Sequence, residues 1–187
     1  TPGYGVNDQT FGASATLKLS KVKAVEATEF SFDYAASDAG GQLGYQSVKG
    51  FGSEGKELFT LILSSGSTTY GQRAFGYIDA NGAYQIIGGS GSLQQLAGNA
   101  NNNTTFKVTL HAANFDLTVE NSVNGIVDGT YKGLSYSSND VAADLATIVF
   151  SAKQSKASGI YDNIRVTHPN NAPLASDDSV NGNEDQP

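Results

Sequence analysis

Cysteine, tryptophan and methionine are absent from this chain of 187 residues, and proline occurs only four times. Without cysteine there are no disulfides, no thiolate zinc sites and no cysteine nucleophile. Folding does not suffer, because a domain of this size buries about 70% of its unfolded surface and needs no covalent staple. Positive charge is scarce as well. Eleven Lys and Arg stand against 18 Asp and Glu, a formal net charge of −7, with no basic cluster anywhere. Phosphate contacts need concentrated Lys and Arg, so nucleic acid is not an expected partner. No apolar run approaches the ~20 residues of a membrane-spanning helix. The first residues, Thr1-Pro2-Gly3-Tyr4, lack the basic start and apolar centre of a signal peptide. We read them as a boundary within a longer chain, with any targeting signal outside it.

Glycine, by contrast, is abundant at 22 residues. Many glycines supply many tight turns, and many turns imply many short strands. The apolar period is two nearly throughout. Ala15-Thr16-Leu17-Lys18-Leu19 alternates, as do Phe30-Ser31-Phe32-Asp33-Tyr34 and the run from Leu58 to Leu63. Ala74 to Ile78, Tyr84 to Ile87, Phe106 to Leu110, Phe115 to Val119, Thr147 to Phe150 and Ile160 to Val166 complete the series. β-Branched and aromatic residues at alternate positions are strand signals. Asp79-Ala80-Asn81-Gly82 and Ala112-Ala113-Asn114 read as hairpin turns. Residues 88–103 are small and polar, too poor in apolar groups for a core element, and read as a long surface loop. Only Asn139 to Leu145 suggests a helical turn, with Asn139 as N-cap.

About ten short strands predict an all-β fold, a two-sheet antiparallel sandwich or a barrel. The predicted core is Phe30, Phe32 and Tyr34; Phe59, Leu61 and Leu63; Phe106, Val108 and Leu110; and Ile148 with Phe150. Side chains two apart on a strand share a face. Periodicity stops at His168-Pro169, and the polar, acidic stretch that follows lacks strand character. The domain is therefore expected to span residues 1–168, with first and last strands close together and residues 169–187 outside the core.

Residues 169–187 resemble the opening of the cadherin-like or immunoglobulin-like tandem repeats of large secreted bacterial proteins. The matching positions are Asn171, Ala172, Pro173, Ala175, Asp177, Asp178, Glu184, Asp185 and Pro187. The resemblance implies covalently linked neighbouring modules and a secreted or cell-surface bacterial parent, a polysaccharide-degrading enzyme or an adhesin. Gly159-Ile160-Tyr161-Asp162-Asn163-Ile164-Arg165-Val166, with Phe30 to Tyr34 and the pair Lys107–Leu110 and Phe115–Val119, resembles strands of concanavalin-like and laminin-G-like jelly rolls. That implies a jelly-roll (concanavalin-like) sandwich, a carbohydrate-binding role and a structural calcium ion on Asp162, with Glu26, Glu29 or Asp8 as further ligands. Calcium takes about six to eight oxygens, mixing carboxylates and carbonyls. The competing reading of Asp162 is an Asp accepting backbone hydrogen bonds at a bulge.

For a polysaccharide or cell-surface glycan, the candidate residues are Tyr45, Tyr70, Arg73, Tyr77, Tyr84, Asn101 and Asn102. Sugars need flat apolar faces for stacking and planar polar groups for hydroxyl pairs. On one strand, Arg73, Phe75 and Tyr77 would share a face, which could be an open one or the core. The missing tryptophan weakens the sugar reading, since indole is the largest stacking surface. A structural spacer or protein-contact domain of an adhesin is the alternative, and a glycosidase or polysaccharide lyase on the same fold ranks behind it. Catalysis finds little support, and no catalytic residue is assigned. Glu54 and Glu57 lie in a glycine-flanked loop, His111 and His168 lack a triad context, and Gly88 to Ser92 lacks the Lys of a phosphate loop. The Glu-x-Asp strand of laminarinase-type hydrolases is absent.

Overall fold

The computed structural model of the protein describes residues 4–6, 14–19, 28–36, 44–67, 69–95, 103–138, 145–153 and 159–167, the first three through the backbone alone. These contain twelve strands: β1 (Tyr4–Val6), β2 (Ser14–Lys18), β3 (Glu29–Ala36), β4 (Gly44–Gly52), β5 (Glu57–Gly66), β6 (Ala74–Ile78), β7 (Tyr84–Gly88), β8 (Thr104–Leu110), β9 (Asn114–Glu120), β10 (Gly129–Ser135), β11 (Leu145–Lys153) and β12 (Gly159–Thr167). They form two six-stranded antiparallel sheets, sheet A in the order β1-β12-β3-β8-β9-β10 and sheet B in the order β2-β11-β4-β5-β6-β7. The arrangement is the expected jelly-roll sandwich, and β1 pairs with β12 through Tyr4 opposite Tyr161.

Alternation decides which side chains enter the core. Phe30, Phe32 and Tyr34 of β3, Phe59, Leu61 and Leu63 of β5, and Phe106, Val108 and Leu110 of β8 are all buried. Ile148 and Phe150 of β11 join them. Aromatic rings span the gap between the sheets. Phe75 of sheet B meets Phe106 of sheet A edge-on at 5.1 Å, and Phe150 meets Tyr161 at 4.8 Å. Phe59 lies 5.8 Å from Phe115, and Tyr77 meets the same ring from the side.

Three strand glycines make room for these rings. A Cβ on Gly50 would stand 2.3 Å from the ring of Phe59, its partner across β4 and β5. On Gly88 it would stand 2.1 Å from Phe75, and on Gly159 2.4 Å from Tyr34. Glycine within a strand commonly marks such a close approach.

Several expectations need correction. Leu93, inside the supposed surface loop, is fully buried in the core, because Arg73 and Gln72 hold this segment by backbone hydrogen bonds to Leu93 and Gly91. Strands β1, β4 and β10 escaped the reading; β4 and β10 are interrupted by glycines that dilute their alternation. Arg73 precedes β6 rather than sharing its face with Phe75, and its φ of 50° takes it out of the extended ladder. The proposed helical turn from Asn139 falls outside the described residues until Leu145, which opens β11. Among the described residues the one helical turn is Val123–Gly125. Residues 169–187 also lie outside them.

The glycine–ring fit gives a direct test. Gly50→Ala is expected to destabilise the fold by about 1–3 kcal/mol, the usual cost of overpacking a core. Combining it with Phe59→Leu should restore part of that loss, as coupled neighbours do. Urea unfolding of the two single variants and the double variant measures this. Strict additivity would overturn it.

Candidate functional site

The outer face of sheet B, turned away from the core, gathers three half-buried tyrosine side chains. Val48, Phe150, Leu61 and Leu63 point inward, so their neighbours Tyr45, Ser47 and Lys49 on β4, Ser151 and Lys153 on β11, and Thr60, Ile62 and Ser64 on β5 point outward. The β5–β6 connection folds back over this face. Ser67 and Gly71 exchange backbone hydrogen bonds, and the Ser64 hydroxyl donates to the Gly71 carbonyl. That turn lays Tyr70 between Tyr45 and Tyr84. The Tyr45 and Tyr70 rings lie 4.7 Å apart at 78°, and Tyr70 and Tyr84 lie 4.7 Å apart at 65°. Tyr84 reaches this position by crossing Gly76, where a Cβ would fall 2.7 Å from its ring.

The three rings form one ridge. Burial pushes the Tyr84 phenol up to about 12, with Tyr70 beside it adding to the shift. Burial also raises Tyr70, and the neighbouring Tyr45 adds to it. Both therefore stay neutral at ordinary pH. The Tyr84 hydroxyl is buried with no hydrogen-bond partner among the described residues.

Charge on the outer face of sheet B opposes that of the chain as a whole. Lys153 stands directly across from Tyr45, and Lys18 shares the outward row of Thr147. Lys49 pairs with Glu57 at 2.7 Å, and the Thr60 hydroxyl donates to the other Glu57 oxygen. Among the described residues this face thus carries three lysines against one acid.

The sequence-derived candidates divide. Tyr45, Tyr70 and Tyr84 converge. Tyr77 does not join them: its register with Leu61 puts it on the core face, packed on Phe115. Arg73 lies beside Gly91 on the β7–β8 connection, away from the ridge. Asn101 and Asn102 fall outside the described residues. Lys153 was missed, although the inward run Ile148, Phe150 and Ala152 would have placed it outward beside a tyrosine strand.

The metal candidates divide too. Asp162 stands opposite Asp33 on β3, next to a bulge where Asn163 has φ 50° and donates its backbone N–H to the Asp162 carboxylate at 2.8 Å. Asp33 in turn accepts from Thr105 and from the Asn163 amide. Glu29 is not brought to Asp162. It pairs with Thr167, five residues further along β12, and lies 3.5 Å from Lys107. Asp8 and Glu26 lie outside the described residues. Among the described ones no three metal-binding side chains gather. They supply two carboxylates, short of a calcium shell.

No family model matches the chain, and no curated protein matches it by sequence. Among solved structures it is similar to a tetrameric galectin from the ball sponge Cinachyrella sp., with a TM-score of 0.52 and 14% identity, over 83% of this chain and 100% of that one. It is also similar to a legume lectin-like domain from Entamoeba histolytica, with a TM-score of 0.52 and 11% identity, over 88% of this chain and 81% of that one. Similarity at this identity establishes the fold, the two-sheet jelly roll.

Tyr84 depends on the hairpin that precedes it. The Asp79 carboxylate accepts the backbone N–H groups of Asn81 and Ala83 at 2.9 Å and the Gln85 amide at 2.7 Å. These bonds, Ala83 foremost and then Gln85, hold its pKa below the ordinary 3.8. Because the folded-state value is the lower one, this stabilisation is complete above 3.8 and disappears as pH falls through the lowered value. Hydrogen-exchange protection at Asn81 and Ala83 is expected to fall across that acid window, and Asp79→Asn to remove the pH dependence. Protection that holds constant through the window would refute the role of Asp79.

Proposed function

We propose that this domain is a non-catalytic carbohydrate-binding module that holds a polysaccharide against the outer face of sheet B. The contiguous ridge of Tyr45, Tyr70 and Tyr84 carries the reading. Aromatic rings side by side on the outer face of a sheet offer their exposed parts as stacking surfaces to sugar rings. The fold shared with a galectin and a legume lectin-like domain supports carbohydrate as the ligand. Glu57, the acid on this face, has both carboxylate oxygens engaged by Lys49 and Thr60. That arrangement suits a positioning role and supports binding without catalysis.

Lys18, Lys49 and Lys153 favour a polysaccharide bearing carboxylate or sulfate groups, since a basic face on an acidic chain attracts anions locally. Contacts of this kind weaken with salt. A secreted or cell-surface bacterial parent with linked neighbouring modules belongs to the same reading. Repetition of weak modules along one polymer raises avidity by about 10² or more without new contacts.

The reading also includes a structural calcium ion at Asp162. Two carboxylates directly opposite across neighbouring strands repel one another, and a cation between β3 and β12 would relieve the repulsion of Asp33 and Asp162. Asp8 and Glu26 are its further proposed ligands.

Affinity electrophoresis tests the polysaccharide. The domain is expected to be retarded in gels cast with alginate or pectate more than in gels of a neutral glucan, and less so in added salt. Tyr45→Ala, Tyr70→Ala and Tyr84→Ala should each weaken retention about fivefold, from about 1 kcal/mol per ring, while Tyr77→Phe should leave it unchanged. No retardation of a folded sample in any gel would favour a structural spacer, and depolymerisation of the polymer would reveal an enzyme.

Thermal unfolding tests the ion. A ligand bound only to the folded state adds about 2.7 kcal/mol at a hundredfold excess over Kd. Chelator is therefore expected to lower Tm by several degrees, and Asp162→Ala to abolish the response. An unchanged Tm removes calcium from the proposal.

A further inference from the structure

A second polar site lies away from the tyrosine ridge, between the β7–β8 and β9–β10 connections. It is a cavity of about 410 Å³, within the range of small-ligand sites. Gln94 and Asn103 line it from one connection, and Asn121, Ser122, Asn124 and Asp128 from the other.

Its walls are fixed by bonds that leave most of the lining amides free. Leu93 anchors the first connection in the core, and the Ser92 carbonyl accepts the Val123 N–H at 3.0 Å. Gln94 donates its side-chain amide to the Asn121 carbonyl at 3.1 Å and its backbone N–H to the Thr104 hydroxyl at 3.1 Å. Across the second connection, the Asp128 carboxylate accepts the backbone N–H groups of Asn121 and Ser122 at 3.1 and 2.8 Å. Asn121 and Asn124 adopt φ of 58° and 61°, left-handed values that Asn tolerates far better than most residues. The side-chain amides of Asn103, Asn121 and Asn124 make no hydrogen bond among the described residues.

The lining selects a ligand class. Each carboxamide presents donors and an acceptor in one plane. A vicinal pair of sugar hydroxyls matches such a group, one accepting from its N–H and the other donating to its oxygen. An anion is disfavoured, because the lining contains no Lys or Arg and does contain the Asp128 carboxylate. A nucleobase or apolar ligand is disfavoured, because no aromatic or large aliphatic wall is present.

We propose that this cavity is a second binding site, which takes a neutral sugar unit through the amides of Asn103, Asn121 and Asn124. It shares no residue with the ridge on sheet B. The ridge reads a charged polymer by stacking and lysine contacts, whereas the cavity reads the hydroxyl pattern of a single unit. The domain then has two separable sites of different selectivity.

The test is an NMR titration of the isotope-labelled domain with the methyl glycosides of glucose, galactose, mannose, fucose and N-acetylglucosamine. Side-chain amide signals of Asn103, Asn121 and Asn124 are expected to shift with at least one of them, at millimolar sugar. Asn103→Ala should weaken that response roughly three- to tenfold, the loss of one or two net hydrogen bonds. Asn124→Gly should do the same while keeping the left-handed backbone. Tyr84→Ala, which disables the ridge, should leave the response intact. Failure of the ridge proposal would show in the polysaccharide gels and not here. The inference is overturned if no glycoside moves these signals in a folded sample, or if the Asn121 shift persists undiminished in the Asn103→Ala/Asn124→Gly double variant.

Discussion

The aromatic layer between the sheets is the contact on which the rest of this structure depends. With no tryptophan or methionine to fill irregular space, phenyl and phenol rings carry the filling, and rings do not deform. Phe106 receives Phe75, Phe115 receives Phe59 and Tyr77, and Tyr161 receives Phe150. Rigid rings at close-packed density leave little tolerance in the spacing of the sheets. The inward glycines at positions 50, 88 and 159 follow from that constraint. Each sits where a ring from a neighbouring strand occupies the space of a side chain.

The outer faces inherit their geometry from this layer. Once Val48, Leu61 and Leu63 point inward, Tyr45, Ser47, Ile62 and Ser64 have no choice but to point outward. The ridge then needs two further devices. One is the turn at Ser67 to Gly71, which folds Tyr70 back over the sheet. The other is Gly76, whose bare backbone lets Tyr84 lie across it. The amide-lined cavity depends on the core in the same way, since the burial of Leu93 fixes the connection that carries Gln94.

Legibility followed the range of the interactions involved. Alternation is local, so β3, β5, β8 and β9 and their core faces could be read directly from residues such as Phe30, Phe32, Phe106 and Val108. β4 and β10 could not, because Gly50 of β4 is justified only by the Phe59 ring packed on it and Gly133 of β10 only by its positive φ at a bulge. Leu93 shows the same limit from the other side: one leucine in a polar stretch has no period, and its burial comes from its distant partner, Arg73. Tyr45, Tyr70 and Tyr84 were recognisable as candidates by residue type, but nothing local separated them from Tyr77.

The sequence by itself determined an all-β fold of a sandwich or barrel kind, its principal core residues, its acidic balance and the absence of thiol chemistry. Each of these follows from composition or from a period of two, which neighbours along the chain are enough to set. Only the tertiary structure decided which tyrosines meet, that Tyr77 enters the core, that Glu29 stays apart from Asp162, and that Asn103 faces Asn121 and Asn124 across a cavity. Those outcomes turn on strand order and register between residues tens of positions apart. A shift of one residue in register exchanges the two faces of a strand, so no reading of single segments could have fixed them.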